Sequence, residues 1–333
     1  MIFHPTVMAL LAGSILVSFM ILYSASYAFQ ILRKWDPQSG TEVQLNLERR
    51  TYLISTLLAY AFGFELLSFF LFIFTADQVH TFFVGAMCAA GSLYANDYGY
   101  PTLIAKLVNF LLAGLWLVLN HVDNQGYDYP LLKAKCYFLL LLVPLVLLET
   151  FLQANYFLRL KPNIITSCCG TLFSSETLVL PSELGFLSGL GTNAVFYMVL
   201  LLTIGTGAFY ILKGKGAYVF SAASATAFTV SVVAIFSFVS CYIYELPTHH
   251  CPFCILQKEY SYIGYFIYVT LLGGTIAGLS VGVLMPFRRM KSLAEILPNV
   301  QRNLAMTSST LFLVFTAIVT VKILLSGLVM DAY

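Results

Sequence analysis

Residues 136–158 read CYFLLLLVPLVLLETFLQANYFL, a run in which Glu149 is the one carboxylate and no Lys or Arg occurs. At ~1.5 Å per residue, a helix of this run crosses the ~30 Å hydrocarbon core of a bilayer. The run does not alternate apolar with polar residues, so it does not read as a strand of a membrane barrel. A helix satisfies its own backbone hydrogen bonds, which is the condition for crossing lipid. Comparable runs recur at about 5–31, 51–75, 102–120, 191–212, 217–243, 258–285 and 305–328. The reading is an all-α, polytopic integral membrane bundle of about eight transmembrane helices.

Composition agrees. Of the 333 residues, 59% are hydrophobic and 10% charged, against roughly 25% charged in a soluble protein. A water-soluble globule is excluded, and a net charge of +2 gives no footing for nucleic acid. The chain reads as one membrane domain, 1–333. Its N-terminal four-helix half (1–160) carries no motif that names a role, and its C-terminal half (190–333) carries a cysteine motif.

The few basic residues map the topology. Arg33, Lys34, Arg49 and Arg50, then Lys133 and Lys135, then Lys213 and Lys215, then Arg288, Arg289, Lys291 and Arg302 fall in four alternate connections. By the positive-inside rule these face the cytoplasm, which places both termini and the segments 76–101, 159–190 and 244–257 on the outer side. Met1–Gln30 has no basic residue ahead of its apolar stretch and is expected to stay as the first helix, not a cleaved signal. Segment 76–100 is expected to form a re-entrant or interfacial hairpin, or a pair of short helices.

That map sorts the cysteines. Cys88, Cys168, Cys169, Cys241, Cys251 and Cys254 lie on or near the outer side, and Cys136 at the cytoplasmic side. On the oxidising face of a bacterial inner membrane, such cysteines pair, bind metal or exchange disulfides. Packing accounts for Cys136 and Cys241. The sharpest signal is Thr248-His249-His250-Cys251-Pro252-Phe253-Cys254-Ile255-Leu256-Gln257-Lys258. Cys-x-x-Cys puts two sulfurs on one turn, and Cys251 near a helix N-cap with Pro252 at the first helical position favours a thiolate.

The run Cys251-Pro-Phe-Cys254-Ile-Leu-Gln257-Lys258 resembles the first active-site segment of the disulfide bond formation protein B family. The resemblance covers about residues 217–285 and leaves the N-terminal half unassigned. It implies electron transfer from periplasmic dithiols to membrane quinone, with Cys251 and Cys254 as the redox pair. Lys258 would lie near the quinone ring, beside Gln257 of the same run, and apart from the resemblance Tyr260 or Tyr262 is a candidate to line a quinone. That family's second cysteine pair follows the Cys-x-x-Cys helix, whereas no cysteine follows Cys254 here. Any second pair lies upstream, with Cys168-Cys169 and Cys88 as candidates. Adjacent cysteines rarely bond each other, so one of Cys168 or Cys169 would exchange with Cys251 or Cys254.

Two other readings stay open. His249 and His250 beside Cys251 and Cys254 form a Cys/His set suited to zinc or copper, which such a module would bind or deliver. Alternatively, the cysteines brace the loops of a scaffold subunit in a larger membrane complex. Haem attachment is disfavoured because Ile255, not His, follows Cys254. The expected partners are lipid, a periplasmic thiol protein and other membrane subunits. Glu65 and Glu149 stand inside apolar runs at similar depth, which suits either proton handling or a neutral hydrogen-bonded carboxylic acid between helices. Gly273, Gly274, Gly278 and Gly282 mark a close helix contact. Most tyrosines suit an interfacial belt, and Lys322 is expected to snorkel.

Overall fold

The computed structural model describes residues 4–35, 41–126, 128–161, 166 and 190–328. Among them, eight helices are long and apolar enough to cross a membrane. We number these α1 (Pro5–Lys34), α2 (Glu42–Val79), α3 (Gly99–Asp123), α4 (Leu132–Leu158), α5 (Leu190–Lys213), α6 (Ala217–Tyr244), α7 (Ile263–Val283) and α8 (Ile296–Leu325). The described residues thus carry the expected eight-span, all-α architecture.

Local chemistry sets several ends. α2 begins about nine residues before the apolar run at 51–75 because the Thr41 hydroxyl accepts a hydrogen bond from the Gln44 amide and caps the helix. Its 38 residues rise ~57 Å, well beyond the hydrocarbon thickness. α6 ends where Glu245 turns left-handed at φ 56°. The segment after α2 forms a short helical turn, His80–Phe82, and a five-residue helix, Ala89–Leu93, which matches the short-helix alternative expected for 76–100.

The chain divides into two units, which do not follow a simple cut in the middle. The first comprises Met1–Phe82, Leu93–Ile164 and Pro286–Leu297; the second comprises Phe83–Ser92, Ile165–Met285 and Pro298–Tyr333. In the first, α1 packs on α2 and α4, and α3 packs on α2 and α4, closing a ring of four helices. Its core includes Phe62, Trp116, Leu139 and Leu142, with the Phe62 and Trp116 rings 4.9 Å apart. Lys135, one of the basic residues used to map topology, is buried here. Its ammonium lies 2.5 Å from Asp123 Oδ2 and donates to Asn120 Oδ1 at 2.8 Å and Ser55 Oγ at 3.2 Å.

In the second unit α6 packs between α5 and α7. The glycines of α7 are contact points: a side chain at Gly278 would meet Ser224 and Ser308, and one at Gly282 would meet Ser221. Ser308 of α8 donates to the Gly274 carbonyl at 2.7 Å, and Ser221 to the Leu279 carbonyl at 3.3 Å. Small residues let the backbones approach until such bonds form, the packing expected from the glycine spacing.

Candidate functional site

The Cys251-Pro252-Phe253-Cys254 segment lies in the second unit between α6 and α7. The expectation that Cys251 caps a helix is corrected, since α7 starts only at Ile263. Ser261 and Tyr262 both adopt left-handed φ, 56° and 55°, and no α-helix runs through them. What precedes them is a tight turn, then 3₁₀ turns at Cys254–Leu256 and Lys258–Tyr260. Pro252 follows the first residue of a turn, where its fixed φ is preorganised, and Phe253 has φ −97° and ψ −30°, the neighbourhood of the third position of a type I turn.

This turn places both sulfurs on one side, and a third joins them. Cys88, just before the helix Ala89–Leu93, lies with its sulfur 3.5 Å from that of Cys251. The three sulfurs of Cys88, Cys251 and Cys254 all fall within 4.8 Å of one another. The residues are 0%, 3% and 5% exposed. The separation of Cys88 from Cys251 exceeds the ~2.05 Å of a disulfide, so these two sulfurs are not bonded to each other.

The surroundings hold the trio in place. Gln257 Nε2 donates to the Met87 carbonyl at 2.9 Å, tying the Cys88 segment to the Cys-x-x-Cys segment. Tyr244 donates to the Cys251 carbonyl at 2.5 Å, and Tyr268 to the Pro252 carbonyl at 2.8 Å. Gly264, in the first turn of α7, lets Ile255 come close, since a Cβ there would lie 2.9 Å from the Ile255 carbonyl oxygen. Upstream, the Thr166 amide donates to the Val84 carbonyl at 2.9 Å, and Gly85 beside it takes φ +86°. The Cys251 thiol is held well below the usual thiol range. Hydrogen bonds from Cys254 and then Cys88 favour its thiolate over the opposing effect of burial, with smaller help from His249 and the Phe253 backbone.

The two histidines part company. The His249 ring packs edge-on against Tyr244, 4.4 Å between centroids, and its Nε2 is a buried nitrogen with no hydrogen-bond partner among the described residues. It is the imidazole associated with Cys251. His250 turns the other way: its Nδ1 lies 3.1 Å from the carbonyl oxygens of Phe236 and Ser237 and 3.2 Å from the Cys241 sulfur. Phe236 and Ser237 lie in the π-turn Ile235–Val239 of α6, and His250 supplies a hydrogen to carbonyls of that irregular turn.

Of the remaining expected site residues, Lys258 is exposed, and Tyr260 packs against Tyr244 with ring centroids 4.7 Å apart. Cys168 and Cys169 lie outside the described residues. Cys136 is buried in the first unit and Cys241 lies in α6. Joining Cys88 to Cys251 is a contact across 163 residues that no spacing rule announces. Tyr244 had a clearer signal, a tyrosine at the end of an apolar run, where its ring packs and its hydroxyl seeks a polar partner.

The chain matches no protein-family model, no curated protein and no solved structure. The class that fold and site define is therefore a multi-span membrane protein with a buried three-cysteine cluster.

Proposed function

We propose that this protein binds a soft metal ion, zinc or copper(I), through Cys88, Cys251 and Cys254, and takes up or hands on that ion at the membrane. The convergence of three sulfurs within 4.8 Å carries the reading. Sulfurs at ~2.3 Å from a tetrahedral ion stand just under ~4 Å apart, a spacing bracketed by the 3.5 Å approach of Cys88 to Cys251 and the 4.8 Å limit of the trio. Three thiolates alone suit copper(I). His249, associated with Cys251 but outside the 4.8 Å sulfur cluster, would have to move toward the sulfurs to serve as the fourth ligand that zinc favours. His250 is engaged elsewhere. In this reading the site faces the side of the membrane opposite the basic connections, the outer face of a bacterial inner membrane.

A second reading, supported by the 3.5 Å approach of Cys88 to Cys251 and by the resemblance of the Cys-x-x-Cys run, is thiol–disulfide exchange. Two thiols of the trio would close to a disulfide, giving two protons and two electrons to membrane quinone, which becomes quinol. Cys168 or Cys169 would relay to the trio, with a periplasmic thiol protein as donor.

Purification without chelator, followed by elemental analysis and thiol alkylation, separates the two. Metal binding predicts one zinc or copper per chain and three thiols shielded from alkylation until a chelator is added. Exchange predicts metal-free protein and a mixed disulfide that accumulates in Cys254→Ala. That second pattern would overturn the metal reading.

A further inference from the structure

The first unit holds a separate polar cluster with no cysteine among its hydrogen-bond partners. Lys106 of α3 donates to Glu149 Oε1 of α4 at 2.6 Å and to Ser68 Oγ of α2 at 3.1 Å. Asn109 Nδ2 donates to the other Glu149 oxygen at 2.5 Å. Both oxygens of Glu149 thus have donors. Glu65 of α2, 2% exposed, lies within hydrogen-bonding reach of Glu149. Its Oε1 is buried and receives no hydrogen from any described group, and Asn109 Oδ1 is likewise unsatisfied.

One ammonium therefore faces two carboxyl groups. Two carboxylates in contact cannot both stay ionised at low cost, and in hydrocarbon the excess charge has no solvent to offset it. The place of a compensating cation beside Glu149 is already filled by Lys106. Other groups do not change this balance. From α1 the neighbouring polar groups are neutral: Ser14 bonds Gln153, and Ser18 bonds Thr150. The titratable residues of α1 are engaged elsewhere or lie toward its ends: His4 bonds Thr6, Tyr23 bonds Tyr27, and Arg33 and Lys34 close the helix, while Arg50 of α2 reaches Tyr27. On α2 the next carboxylate, Asp77, pairs with His80.

We propose that Glu65, Glu149 and Lys106 form a membrane-embedded proton-binding site, in which Glu65 carries one exchangeable proton and donates it to Glu149. The missing hydrogen at Glu65 Oε1 is then supplied by Glu65 itself. Loss of that proton leaves two carboxylates against one ammonium. Proton release is thereby tied to the arrival of positive charge nearby, which is the behaviour of a relay station and not of a static brace.

Infrared spectroscopy of the purified full chain in lipid tests this. The wild type should show a protonated-carboxyl stretch that shifts when H2O is replaced by D2O. Glu65→Gln should lose it. Glu149→Gln should lose it too, because Glu65 then ionises to pair with Lys106. Lys106→Met should roughly double it, since both carboxyls must then be neutral. A band that survives Glu65→Gln, that is unaffected in Glu149→Gln or Lys106→Met, or that does not shift in D2O would overturn the proposal. Helical circular dichroism of each variant confirms that the band is read on folded protein.

Discussion

The sulfur of Cys88 lies 3.5 Å from that of Cys251 across 163 residues of chain, so the short segment ahead of Ala89–Leu93 completes the thiol cluster. Cys88→Ser should therefore abolish retention of metal as fully as Cys251→Ser does, although it lies outside the Cys-x-x-Cys motif. Metal content after desalting reads this. Retention in Cys88→Ser equal to wild type would remove Cys88 from the ligand set.

His249 separates the two ions. If its imidazole moves in to complete a tetrahedral zinc site, His249→Ala weakens zinc binding strongly while leaving copper(I) bound by three thiolates. Competition titrations with a chelator for each ion measure the two affinities. Equal weakening of both would mean that His249 serves neither ion selectively. His250→Ala should leave both affinities near wild type, because that ring serves the carbonyls of α6.

Tyr244 acts one layer out, through the Cys251 carbonyl and the His249 ring. Tyr244→Phe keeps the ring and deletes the hydrogen bond. Support of this kind around metal ligands is worth ~10–100-fold in affinity. A loss in that range with unchanged stoichiometry, measured by the same titrations, is the expected result.

The buried pair Lys135–Asp123 makes a stability prediction that does not depend on function. Removing one partner, as in Asp123→Ala, strands a charge and should cost about 3–5 kcal/mol, whereas an apolar pair of similar volume should recover much of the loss. Unfolding midpoints in detergent compare the single and double variants.

The spans were legible because lipid demands one thing of every crossing segment, a long apolar run, and 191–212 or 217–243 supply it without ambiguity. Ends were less legible: the extra turns of α2 depend on a single hydroxyl at Thr41. The start of α7 was misread because Cys251-Pro252 has the letters of both a helix start and a turn, and the left-handed pair Ser261-Tyr262, which carries no glycine to announce it, decides for the turn. Lys106 is the opposite case. A lysine inside the run 102–120 is as costly in lipid as a carboxylate, and that cost was the available signal that it pairs with Glu149. Cys88 was legible only as one of several outer-side cysteines, since the topology map grouped it with Cys168 and Cys169 and no spacing singled it out as the neighbour of Cys251.

The glycine seam of α7 reaches further than helix packing. Gly278 and Gly282 against Ser224 and Ser221 fix the gauge between α6 and α7, the two stems from which the Cys251–Cys254 turn is hung. The bite of the thiols is in this sense dimensioned about four helical turns away, inside the hydrocarbon. A bulkier residue at Gly278 widens that gauge and detunes the sulfurs while touching none of them.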